Sequence, residues 1–137
     1  MDTPGGEPVD AITIDDLDLP TCNFLKIDVE GMEIDVLRGA ERTIDMYRPL
    51  LYVENDRPTK SQSLLELLFG WEYRCYWHLA SLFNPANFAG ETEDIFPGIV
   101  SVNVFCIPRE SGLAVEGMAR VEDPAESWRD LAKRSGT

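Results

Sequence analysis

The sequence predicts an α/β domain with a parallel βαβ core and a terminal antiparallel strand pair. Residues 24–29 (FLKIDV) and 50–54 (LLYVE) are short, mostly apolar runs of the kind that a parallel sheet buries. Between them the apolar period lengthens to that of a helix, with Val36, Leu37, Ala40, Ile44 and Tyr47 on one face. Beyond residue 70, two more strand-like runs follow with no helical pattern between them, which favours antiparallel pairing.

The elements follow in order. Residues 1–8, with two prolines and Gly5-Gly6, read as a flexible leader. Residues 9–14 alternate and suggest a short first strand, and Pro20 then breaks the chain. The strand at 24–29 stops at Glu30-Gly31, where glycine permits a sharp turn. A helix is expected over 32–47, with Glu33, Arg38, Glu41 and Arg42 on its wet face. Gly39 inside it costs ~1 kcal/mol relative to alanine, a cost that close approach to the sheet would justify. Pro49 ends this turn, and the strand at 50–54 begins.

A second helix is expected at 61–69. Ser63 and Glu66 have capping-box spacing, Leu64, Leu65 and Leu68 supply the apolar stripe, and Gly70 is the stop. Strands at 71–79 and 99–107 flank an irregular segment, 80–98, longer than an ordinary connector. The domain proper spans 9–110. Residues 111–137 form an extension, partly helical over 124–133 and docked by Trp128, Leu131 and Ala132.

At 137 residues, 44% of them hydrophobic and 27% charged, the chain fits one globular domain. Its net charge of −13 argues against a nucleic-acid partner, which clustered Lys and Arg would signal. Residues 1–56 hold four basic and fourteen acidic groups, so about −10 of that charge gathers there. That pattern belongs to a solvated acidic surface or to carboxylates converging on a cation. No run approaches the roughly 18 to 20 apolar residues that span a bilayer, and no secretory signal is seen. A soluble, cytoplasmic protein is expected. Cys22, Cys75 and Cys106 are odd in number and form no CxxC pair, so they read as buried reduced thiols.

Ligands of open α/β sheets bind beyond the carboxyl ends of parallel strands. Here those ends carry Asp28-Val29-Glu30-Gly31 and Glu54-Asn55-Asp56-Arg57. Asp28, Glu54 and Asn55 offer three oxygen ligands that suit Mg²⁺, while acidic residues at such ends also serve to cap the following helices. Without a metal, His78, the sole histidine, is the general-base candidate, since imidazole titrates near neutral pH. It reads equally well as a strand residue packed between its aromatic neighbours. Arg57 is placed to orient an anionic substrate, and Asn84 and Asn87 lie in a segment suited to substrate contacts.

The run Lys26-Ile27-Asp28-Val29-Glu30-Gly31-Met32-Glu33, then Val36-Leu37-Arg38-Gly39-Ala40, resembles the signature of FkbM-type S-adenosylmethionine-dependent methyltransferases. Thr13-Ile14-Asp15-Asp16-Leu17 is similar to the segment preceding it in that family, and Tyr52-Val53-Glu54-Asn55-Asp56-Arg57 to the strand that follows. Tyr76–Leu79, Phe83–Phe88 and Ser101–Val104 resemble late segments of one subgroup.

The resemblance implies a partial Rossmann-like class I methyltransferase fold, its C-terminal half. It also implies transfer of a methyl group to a hydroxyl of a sugar or secondary metabolite, with Asp28 and Glu30 on the cofactor side. The family's glycine-rich cofactor loop has no counterpart before residue 9. This points to a truncated methyltransferase or to a non-catalytic half domain that associates with itself or with a partner chain supplying the missing strands. A metal-dependent phosphohydrolase or glycosyltransferase built on Asp28 and Glu30 fits poorly, because no phosphate-cradling loop accompanies them.

Overall fold

A computed structural model of the chain describes residue 7 and residues 9–131. Of the expected leader, only Glu7 lies within them; Ala132 and Lys133 of the expected last helix lie outside.

Among the described residues, five strands form one sheet in the order β1-β2-β4-β3-β5. They are β1 (Phe24–Ile27), β2 (Leu50–Glu54), β3 (Tyr73–Ser81), β4 (Val100–Pro108) and β5 (Ala119–Arg120). The helices are α1 (Glu33–Arg38), α2 (Glu41–Tyr47) and α3 (Pro58–Gly70). β1 and β2 pair in parallel, Phe24 opposite Leu50 and Ile27 opposite Val53. β4 lies between β2 and β3, antiparallel to both. The predicted βαβ unit and the antiparallel pair are thus both present, and β2 and β3 run in the same direction.

Alternation along the strands divides the sheet into two faces. Ile27, Leu51, Val53, Cys75, Trp77, Val104 and Cys106 form one core with Leu37, Ala40 and Ile44 of the α1–α2 region and Leu64, Leu65 and Leu68 of α3. The other face carries Lys26, Tyr52, Glu54, Asn103, Phe105, Tyr76 and His78, a polar and aromatic row. The thiols are free and buried, and Cys106 donates to Cys75 directly opposite it, sulfur to sulfur at 3.0 Å. Among the described residues, no helix is long and apolar enough to cross a membrane.

Several local expectations need correction. Residues 9–14 form no strand: Val9 and Ile12 are exposed, and the chain runs into a 3₁₀ turn at Asp15–Leu17. A strand needs a neighbour to take its hydrogen bonds, whereas this segment is bound to a helix corner. The Asp15 N–H donates to the Gly39 carbonyl at 2.9 Å. The Asp15 carboxylate accepts from the Arg42 and Thr43 N–H groups (2.9 and 2.8 Å) and from the Thr43 hydroxyl (2.7 Å). Those two N–H groups belong to the first turn of α2, so Asp15 caps a helix 27 residues away in sequence.

This contact accounts for the split of the expected 32–47 helix into α1 and α2 at Gly39-Ala40. A Cβ on Gly39 would stand 3.2 Å from Thr13 Cβ, so the close approach comes from the incoming segment and not from the sheet. Glu33, expected in water, is buried.

α3 starts three residues early, at Pro58, because proline suits a first helical turn; no capping box forms, and Gln62 instead donates to Glu66. At the far end β5 was not anticipated. Val121 is nevertheless fully packed, its N–H donating to the Cys75 carbonyl. Within the described part of 124–133 the chain forms a 3₁₀ turn, Trp128–Asp130, whose Trp128 packs against the core together with Leu131.

Burial pushes the Asp15 carboxyl upward, but the Thr43 hydroxyl, the two N–H groups and the Arg42 charge outweigh it and hold the group below its ordinary value. Asp15→Ala should lower stability by about 0.5–2 kcal/mol, read as a lower urea midpoint at pH 7. The carboxylate's contribution is complete above the unfolded value of about 3.9 and is lost as pH falls through the lower folded one. The gap between wild type and variant should therefore close in acid.

Candidate active site

The carboxyl ends of β1 and β2 lie side by side, as the parallel register requires. Asp28 follows β1 on the face of Lys26, whose ammonium it binds at 2.7 Å. Glu54 ends β2 on the same face and pairs with Asn103 of β4, which in turn pairs with His78 of β3. Glu54, Asn103 and His78 therefore form one row across three strands, with Asp28 at its β1 end. Tyr52, two residues before Glu54, reaches over β4, and its hydroxyl lies 2.7 Å from His78 Nδ1.

The polar atoms here are under-satisfied. Glu54 Oε2, Asn55 Nδ2, Arg57 Nε and Ser61 Oγ are enclosed without a hydrogen-bond partner among the described residues, and all four belong to the end of β2 and the start of α3. Buried polar groups without a partner in the chain are places where ordered water or a bound molecule is expected. Burial raises the Glu54 carboxyl above its usual value, and repulsion from Asp28, Asp56, Glu30 and Glu33 adds to the shift. Among the residues at this edge, Glu54 thus combines an unpartnered oxygen with an enhanced affinity for a proton.

The other sequence-derived candidates take different places. The Asn55 N–H donates to the Val102 carbonyl at 2.8 Å, which extends the ladder by one residue, and Asn55 is buried beside Glu54 at the same small concavity. No group of three or more His, Cys, Asp or Glu able to hold a metal occurs among the described residues, and the Mg²⁺ expectation gains no support.

Glu30 sits in the left-handed region (φ 53°) with its carboxylate exposed and bound by Arg57 at 2.9 Å. Arg57 is accordingly engaged within the chain. Asn84 and Asn87 stand on the loop that leaves β3 at the same end of the sheet, but their amides brace that loop. Asn84 accepts from the Ala86 N–H, and Asn87 donates to the Asn84 and Glu91 carbonyls.

The signature run has a structural logic of its own. Gly31 has φ 97°, and a Cβ there would meet Arg57 Nε at 2.8 Å. Its N–H donates to the buried Glu33 carboxylate at 2.7 Å, and its carbonyl accepts from Lys60 at 2.5 Å. Glu33 thus closes the turn between β1 and α1, while Lys60 ties that turn to α3. Tyr52, Asn103 and Lys26 were missed as site residues. Strand alternation could have placed Lys26 and Tyr52 beside Asp28 and Glu54, but the position of β4, which brings Asn103 and His78 in, has no local signal.

A methyl donor such as S-adenosylmethionine carries a sulfonium cation, and the Asp28, Glu30, Glu33, Glu54 and Asp56 carboxylates fit that charge. They do not form a cradle for a nucleoside. The concavity at this end, lined by Glu54, Asn55 and Arg57, holds only about 10 Å³, the space of one water. A groove of about 780 Å³ lies at the opposite end, between Arg38, Arg48, Trp71 and Glu110, away from the carboxyl ends of β1 and β2.

Glu54→Gln is isosteric but cannot ionise. A raised folded pKa gives stability that is complete at low pH and declines as pH rises through that value. The variant should therefore melt a few degrees above wild type at pH 7 and coincide with it in acid, where Glu54 is protonated, as thermal unfolding at the two pH values would show.

A profile of the methyltransferase FkbM domain matches residues 2–75, which is more than half of the chain and includes β1, α1, α2, β2 and α3. It stops before the three late segments, Tyr76–Leu79, Phe83–Phe88 and Ser101–Val104. No curated protein and no solved structure matches the chain. With the Asp28–Gly31 turn and the Glu54 strand both inside the matched region, the chain belongs to the FkbM methyltransferase family.

Proposed function

We propose that this chain supplies the hydroxyl-activating side of an S-adenosylmethionine-dependent O-methyltransferase acting on a sugar or secondary metabolite. The observation that carries the reading is Glu54, whose enclosed Oε2 has no partner within the described chain and whose proton affinity is raised. An acceptor hydroxyl seated between Glu54 and His78 would lose its proton to Glu54 Oε2, which sharpens the oxygen as a nucleophile. The cofactor, when bound, supplies an electrophilic methyl on a positively charged sulfur. Asp28, held by Lys26, would offer a carboxylate to that charge. A cytoplasmic setting suits the three free thiols.

One observation favours a second reading, association with another copy or with a partner chain. Among the described residues β1 is an edge strand with no neighbour on its outer side, and Phe24 on it is 53% exposed. Unpaired edges of this kind invite strand addition.

Calorimetric titration with S-adenosylhomocysteine should show saturable binding if the chain carries enough of the cofactor site. No binding, together with concentration-dependent sedimentation, would favour the second reading instead. Where methyl transfer is measurable, Glu54→Gln should reduce kcat by about 10²–10⁴, the range for loss of a general base; unchanged turnover would remove Glu54 from the reaction.

A further inference from the structure

We infer that Tyr52 is a positioning residue that fixes His78 as the tautomer protonated on Nε2, so that His78 donates a hydrogen bond to the acceptor oxygen and does not serve as the base. The inference rests on the O-methyltransferase reading for its chemical meaning, but its geometry stands apart from it.

Tyr52 and His78 are on strands separated by β4, and side chains that span a strand in this way meet only if both lean inward over it. Their ring centroids are 5.7 Å apart, tilted by 60°, with the hydroxyl 2.7 Å from Nδ1. Two proton arrangements satisfy that distance. In one, the phenol donates to a bare Nδ1, and the imidazole proton resides on Nε2. In the other, Nδ1–H donates to the phenol oxygen, and the phenol proton needs an acceptor elsewhere.

The first arrangement is favoured on three grounds. Phenol is the better donor and imidazole nitrogen the better acceptor. The contact with Nδ1 is the one hydrogen bond of the Tyr52 hydroxyl among the described residues, so donation there leaves no half-buried O–H unmatched. Burial also raises the Tyr52 phenol above its ordinary value, so the proton remains on the oxygen at neutral pH.

The consequence separates the roles of the two groups facing the row. With Nδ1 occupied and Nε2 carrying a proton, neutral His78 has no lone pair free to accept one. Its open atom, Nε2–H, has no partner among the described residues and points chemistry toward stabilising negative charge on an oxygen. Glu54, which has only acceptor capacity when ionised, is the complementary group. A hydroxyl between them would give its proton to Glu54 and receive a hydrogen bond from His78. Donor and acceptor are thereby assigned to opposite ends of one row.

The chain contains a single histidine, so its ring can be read without assignment. A long-range ¹H–¹⁵N correlation spectrum of the labelled full chain, recorded near pH 8, above the ordinary imidazole value of about 6.5, tests the tautomer directly. The expected result is an unprotonated Nδ1 and a protonated Nε2 in wild type. In Tyr52→Phe the two nitrogen shifts should move toward each other as the tautomers mix. A proton on Nδ1 in wild type would overturn the inference, and so would a Tyr52→Phe spectrum identical to wild type. Should Tyr52→Phe fail to fold, the wild-type spectrum alone decides. Neither readout depends on cofactor binding, so loss of S-adenosylhomocysteine binding would defeat the methyltransferase reading while leaving this test intact.

Discussion

The in-register parallel pairing of β1 with β2 is the constraint on which the rest of the molecule depends. Four residue pairs, from Phe24 with Leu50 to Ile27 with Val53, set the two strand ends level. A slip of one residue would exchange the two faces of β1 and carry Lys26 and Asp28 into the helix-covered core. The register is held from both directions. Ile27, Leu51 and Val53 are buried under the helices, and the turn after β1 is tied to α3 by Lys60 and closed by Glu33. Because of that register, Asp28 and Glu54 confront each other at the edge, and the repulsion between them contributes to the proton affinity of Glu54.

What the sequence discloses and what it conceals follow from the range of the interactions involved. Apolar period and turn residues are local, so β1, β2, α3 and the β3–β4 pair could be read directly. The insertion of β4 between β2 and β3 could not, because any exposed strand edge offers the same hydrogen bonds and only the packed whole selects one. For the same reason, Asp28 and Glu54 were recognisable as neighbours, whereas Tyr52 and His78, which meet across an intervening strand, were not. Asp15 illustrates the point in a helix. Its sequence neighbourhood suggests the end of a strand, yet its carboxylate is committed to N–H groups of a helix 27 residues further on. Glu33 was assigned to water by helical position alone, and the Gly31 N–H draws it inward.

The signature run therefore has two kinds of residue within a few positions. Gly31 and Glu33 build the turn, Glu30 receives Arg57, and Gly39 makes room for Thr13. Asp28 and, one strand away, Glu54 face the open side of the sheet. Family membership is carried by both kinds together, since the profile match spans the scaffold and the facing carboxylates alike. A match to such a run thus reports a shape that holds carboxylates at a strand end as much as it reports the carboxylates themselves.

The contact between Gly31 and Arg57 has an electrostatic meaning beyond its sterics. The guanidinium lies against the bare Cα of Gly31, and from there it reaches Glu30. Any larger residue at position 31 would lift this cation away from the acidic edge. Glu30 would then lose its cation, and the turn between β1 and α1 would lose a tie to the start of α3. The smallest residue of the turn in this way lets an arginine from beyond the end of the neighbouring strand reach the Glu30 carboxylate.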